Sequence, residues 1–153
     1  MLILSYQLFI LDLYINKNHF KLKKIGRCEK IVFNSLNEGI ILAKIDTGAF
    51  NAALHVDAVK IIDSGLQVKI KNNTYIFHKW SEVDVKSSNG KVQKRFGINL
   101  KVRLGKKKYK IFVSLTNRKS MKFSLLIGRR FLHSNNFLVD VTKKNIYDSP
   151  KKI

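Results

Sequence analysis

The segment Ala43-Lys44-Ile45-Asp46-Thr47-Gly48-Ala49 is where this sequence could do chemistry. An apolar strand runs into a carboxylate, and Thr and Gly follow at once. That order sets Asp46 at the end of a buried strand, where a carboxylate can serve as acid or base. Gly48 lets the backbone pass close to another chain or a ligand, where a side chain would intrude. The Thr47 hydroxyl can hold the loop through a local hydrogen bond. Taken alone, the same three residues read rather as an Asx-type turn closing a strand.

A second motif lies about 80 residues further on. Ser124-Leu125-Leu126-Ile127-Gly128-Arg129 reads as a short apolar strand ending in Gly. The residues Arg129–Ser134 follow it as the one plausible short helix. Between the two motifs, the stretch from Trp80 to Lys94 turns polar around Ser87-Ser88-Asn89-Gly90. An Asn-Gly pair suits a tight turn with positive φ, so this region is expected to protrude as a hairpin.

The elements that must position these residues are mostly strands. In Ile98, Leu100, Val102 and Leu104 every second residue is apolar, which is the period of a half-buried strand. Gly105-Lys106-Lys107 breaks the pattern, and Tyr109, Ile111, Val113 and Leu115 resume it, a strong hairpin signal. Lys30–Phe33, Gly39–Ile45, Leu66–Ile70, Thr74–Phe77 and Phe137–Val141 also read as strands. The expectation is an all-β fold, a small closed β-barrel with one short C-terminal helix. Residues 1–24 read as a lead-in segment or an over-long gene start, 25–146 as the domain, and 147–153 as a basic tail.

Composition narrows the class. The 153 residues suit one domain, and 45% hydrophobic with 26% charged residues is ordinary for a globular protein. Met1 to Ile15 is apolar but contains Asp12 and no preceding base. A signal peptide wants a positive start and a small-residue cleavage site, and the stretch is too short to span a bilayer. No membrane span is expected. Cys28 is the sole cysteine, and with four His it makes no zinc framework; a reducing cytoplasm fits best. Thirty Lys and Arg against ten Asp and Glu leave a net charge of +20. Such a charge suits an anionic partner such as RNA, a ribosome, acidic membrane lipids or an acidic peptide, although an AT-rich genome produces the same enrichment.

Together the motifs resemble a family. The chain looks like the bacterial retropepsin-like aspartic endopeptidases associated with the RimK ribosomal-protein glutamate ligase, also known by the older label "ATP-dependent zinc protease". The likeness runs from Ile25 to Asn145. It rests on Ile25-Gly26-Arg27, Ala43 to Ala49, Ala53-Leu54-His55, Lys86 to Gly90, Leu115 to Arg118, Leu126 to Arg129, and Phe137-Leu138-Val139-Asp140. Phe50 and Asn51 depart from it, standing where a basic residue and a small hydroxyl residue are expected. The older label has no support in the chemistry. There is no His-Glu-x-x-His pair for zinc and no Gly-rich Lys-Ser/Thr loop for ATP phosphates, so neither cofactor is expected.

The resemblance implies a retropepsin-type barrel that hydrolyses peptide bonds with Asp46, Thr47 and Gly48. Aspartic proteolysis needs two carboxylates that share a proton. One Asp-Thr-Gly in a single-lobe length implies a homodimer with two-fold symmetry. Asp140, Asp57 and Asp84 are the in-chain alternatives. Ser87, Ser88, Asn89 and Gly90 would form a flap tip over substrate, or simply an ordinary hairpin. Around the active loop, Ala49, His55, Asn117, Arg118, Gly128 and Arg129 are candidate supports. His55 is also readable as a satisfied partial-core residue, Asn117 and Arg118 as a solvated turn, and Arg129 as an exposed helix start. The substrate is expected to be an acidic or ribosome-linked protein or peptide. Two other functions remain open. One is a basic barrel without catalysis that binds RNA, ribosome or the ligase, with Tyr75, Phe77 and Trp80 as stacking residues. The other is a degenerate protease fold that regulates the ligase.

Overall fold

The computed structural model describes residues 22–86 and 90–147. The chain opens with β1 (Lys23–Gly26), β2 (Cys28–Phe33), β3 (Ile40–Asp46) and β4 (Ala52–His55). A meander follows, of β5 (Ala58–Ile62), β6 (Gly65–Ile70) and β7 (Asn73–Phe77). Then come β8 (Ser81–Lys86), the long pair β9 (Val92–Leu104) and β10 (Lys107–Thr116), and β11 (Leu125–Gly128). The helix α1 (Arg129–Ser134) and β12 (Phe137–Asp140) end the described fold.

The fold is all-β with one short helix. Its main sheet runs β10-β4-β11-β3-β2-β9-β8, and β9 pairs back onto β10. The order therefore forms a near-closed ring from which β8 hangs by β9. Alternation drives the assembly. In β3, Ile41, Ala43 and Ile45 point inward, while Ile40, Leu42 and Lys44 face out. Ile31, Leu54, Ile98, Leu100, Val102, Leu104, Val113, Leu125 and Ile127 fill the interior with almost no exposed surface. At roughly 1.5–3 kcal/mol for each large aliphatic side chain fully removed from water, this core is the main source of stability.

The expected strands form within two residues of their expected bounds, except that β9 starts at Val92, six residues before the alternation that begins at Ile98. The β9–β10 turn places Gly105 first of two central residues with φ +58°. Lys106 has no positive φ, the type II′ arrangement that matches strand twist. Two strands gave no alternating signal. β4 is covered on both sides, lying between β10 and β11, and β5 is a largely exposed edge of the meander.

Two buried acids tie the periphery to the ring. Glu38 accepts hydrogen bonds from the Tyr75 hydroxyl (2.8 Å) and Asn73 Nδ2 (3.0 Å), which fixes the meander. The fully buried Glu29 accepts from the N–H groups of Gly26, Ile146 and Tyr147. Tyr147, at the start of the expected basic tail, thus packs against the core. Among the described residues, no helix is long and apolar enough to cross a membrane.

Candidate active site

Asp46 ends β3, half-buried, with Thr47 and Gly48 exposed beyond it. Its Oδ1 accepts the N–H of Gly48 at 3.0 Å and of Ala49 at 3.3 Å. The Asx-type turn is therefore present, and it is also what orients the carboxylate. A Cβ on residue 48 would come within 3.3 Å of Asp46 Oδ1, so the tight approach at Gly48 is to this carboxylate. Asp46 Oδ2 lies 3.8 Å from Lys44 Nζ on the outward face. An exposed pair at that separation contributes little energy.

The loop after Asp46 has to cross another strand. β11 lies between β3 and β4, parallel to the first and antiparallel to the second, with Gly128 in register with Asp46. Residues 47–51 join β3 to β4 across the end of β11. The first N–H groups of a helix have no partner within it, and here they take loop carbonyls. Arg129 N–H donates to Ala49 O at 2.8 Å, and Arg130 N–H to Phe50 O at 3.0 Å. Only glycine fits beneath: a Cβ at Gly128 would sit 2.5 Å from Asn51 O and 2.7 Å from Phe50 O.

The expected hairpin is formed by β8 and β9, paired from Ser81↔Gly97 to Lys86↔Val92. Of its expected tip, Ser87, Ser88 and Asn89 lie outside the described residues, while Gly90 is exposed with φ +83°. Between hairpin and loop is a cavity of about 380 Å³, in the range of small-molecule and peptide side-chain sites. Gly48, Ala49, Phe50 and Asn51 form one wall, and Asp84, Lys86 and Arg95 of the hairpin form another. Arg118 and Arg129 also line it.

The supports divide. His55 Nδ1 accepts the Arg118 N–H at 2.8 Å, so the ring proton sits on Nε2, which faces Asp57 Oδ1 at 3.5 Å. His55 thus braces the start of the 117–123 loop. Arg118 continues the brace, its Nε donating to Phe123 O at 3.1 Å. Burial lowers the Arg118 pKa, the nearby Arg95 charge pushes the same way, and the Asp46 carboxylate opposes both. Burial lowers Arg95 likewise. Asn117 instead takes the Lys119 N–H in a solvated turn of its own. The Arg129 guanidinium lies over the Phe50 ring, 5.7 Å from its centroid.

The alternative carboxylates are elsewhere or singly placed. Asp57 accepts the Lys71 N–H at 2.6 Å. Asp140 closes a turn with the Thr142 N–H and hydroxyl, which lower its pKa. Asp84 does line the cavity. Sequence reasoning missed Arg95 and Arg130. The first lies within the hairpin, opposite Val83, with no motif around it. The second holds Phe50 O through its backbone, which no side-chain pattern reveals. The aromatic candidates for base stacking are committed inward: Trp80 packs edge-on to Phe96 at 5.3 Å, and Tyr75 is bonded to Glu38.

A near-closed β ring, a strand-end aspartate whose loop crosses a glycine-ended strand and short helix, and a hairpin over the resulting cavity define one retropepsin-like lobe. Residues 24–150 match the RimB-like family, described as "Retropepsin-like aspartic endopeptidase RimB", and the chain belongs to that family. It is 30% identical over 128 residues to a "Probable alpha-L-glutamate ligase" of Shewanella halifaxensis, covering 76% of this chain and 28% of that protein. A Desulfotalea psychrophila protein of the same name is 28% identical over 119 residues, 70% of this chain and 26% of its own length. The chain thus spans roughly a quarter of the curated relatives it matches. A Legionella pneumophila crystal structure, described as a protein with unknown function, superposes with a TM-score of 0.65 at 32% identity. That match covers 80% of this chain and 96% of the other.

Proposed function

We propose that the chain is an aspartic endopeptidase whose active site is completed by a second copy, each subunit contributing Asp46. The observation that carries this is the Asp46 carboxylate, pinned by two loop N–H groups on a loop that forms a cavity wall opposite the hairpin. The exposure of Thr47, Gly48 and Phe50 beside it leaves a surface for the partner loop. In the dimer, one Asp46 takes a proton from the attacking water while its symmetry mate protonates the peptide carbonyl oxygen. The β8–β9 hairpin closes over the peptide and excludes bulk water. Arg95, Arg118 and Arg129 on the walls favour an acidic protein or peptide, with the ribosome as one setting. A cytoplasmic location suits such a substrate.

Asp46→Asn keeps the shape of the side chain but cannot share the proton. It is expected to abolish peptide hydrolysis with the fold intact by circular dichroism; full activity in the folded variant overturns the proposal. One observation favours a second reading. The relatives named as glutamate ligases match this chain over only 28% and 26% of their length, which suits a module that docks on or regulates such a ligase. Wild-type protein that binds the ligase but hydrolyses no peptide would select that reading.

A further inference from the structure

The outward face of the β9–β10 hairpin carries like charges opposite one another. In the antiparallel register, Lys101 faces Lys110 and Arg103 faces Lys108. Like charges directly opposed across strands cost stability, and among the described residues no acid pairs with them. No Asp or Glu occurs anywhere between Asp84 and Asp140, and none of the described ion pairs involves these four residues. Lys106 and Lys107 extend the same sign around the turn.

Two further observations fall at the same place. Among the described residues, Arg103 Nε is buried without a hydrogen-bond partner on this face; Tyr109 Oη also lacks one, but its ring packs on Phe131 and Phe137 on the core side. A depression of about 470 Å³ is lined by Asn34, Lys101, Lys108, Tyr109 and Lys110. A face that combines opposed cations, an unpartnered guanidinium N–H and a concavity is arranged for an anion.

We propose that this face binds the phosphodiester backbone of an RNA strand, independently of the Asp46 site. Ser114 lines the cavity beside the active loop, and Lys108 lies six residues earlier in β10, about 20 Å away at strand rise. Lysine point charges and arginine forks both serve phosphates, and here they repeat in opposed pairs along two adjacent strands, a row of cations that suits a chain of phosphates. The committed aromatics noted above leave no base-stacking platform, so binding is sequence-independent and driven by counterion release.

The test is fluorescence anisotropy of a labelled 20-mer oligouridylate against increasing salt. For the combined Lys101→Ala, Lys108→Ala and Lys110→Ala variant, affinity should fall at least tenfold. Its slope of log affinity on log salt should lose about 2, from roughly 0.7 per phosphate contact on single strands. A variant with the same charge removed from the exposed Lys60, Lys69 and Lys79 should bind nearly as wild type. In the wild type, RNA should protect Lys101, Lys108 and Lys110 from amine acylation. Equal loss in both variants, or no protection, reduces the charge to genome composition and overturns the proposal. A polyglutamate peptide that competes as well as RNA at equal charge also overturns it, in favour of an acidic protein partner.

Discussion

Gly128→Ala is the sharpest structural perturbation. The added Cβ would lie 2.5 Å from Asn51 O, 2.6 Å from Asn51 C and 2.7 Å from Phe50 O, all backbone atoms that cannot swing aside. The 49–51 loop must lift, which strains or breaks the bonds from Arg129 and Arg130 to Ala49 O and Phe50 O. Each such bond contributes about 1 kcal/mol net, and overpacking adds roughly 1–3 kcal/mol. A loss of about 3 kcal/mol follows, or roughly 10 °C in Tm for a domain of this size. Gly39→Ala is the control, with φ +68° and nothing within 4 Å of its Cβ; it incurs only the left-handed penalty of about 1 kcal/mol. Thermal unfolding by circular dichroism compares the two, and peptide hydrolysis below the transition reports the displaced loop. If Gly128→Ala melts no lower than Gly39→Ala, the crossing loop is not held as described.

His55→Phe strands the Arg118 N–H without its acceptor, which should cost about 1–3 kcal/mol in urea unfolding and lower kcat through the loosened 117–123 loop. Unchanged stability would make the 2.8 Å bond incidental. Salt should weaken kcat/KM for an acidic peptide more than for a neutral one with the same cleavage core, because the screening length falls from about 10 Å at 0.1 M to about 3 Å at 1 M. Equal responses would remove charge from substrate capture.

Much of the fold was legible because alternation is a local signal. β3, β9 and β10 each bury one face, and their side chains say so residue by residue. β4 was not legible, since Ala52, Ala53 and Leu54 are all buried and leave no period. At the site, Asp46 and Gly128 could be named separately. Their register depends on β11 inserting between β3 and β4, a long-range fact. The Glu29 anchor was invisible for the same reason: its partners Ile146 and Tyr147 lie more than a hundred residues away. Side-chain motifs likewise could not show that backbone groups of Arg129 and Arg130 hold the active loop.

The most direct test of the central claim is to mix wild-type and Asp46→Asn subunits in equal amounts, allow exchange, and measure hydrolysis per wild-type subunit. If the active site is built from two copies of Asp46, mixed dimers are dead. Random pairing then leaves roughly half the activity per wild-type subunit, falling further as the variant is added in excess. Activity per wild-type subunit that stays constant at every ratio would mean that each chain completes its own site, with Asp84 on the cavity wall as the second carboxylate, and would contradict the account.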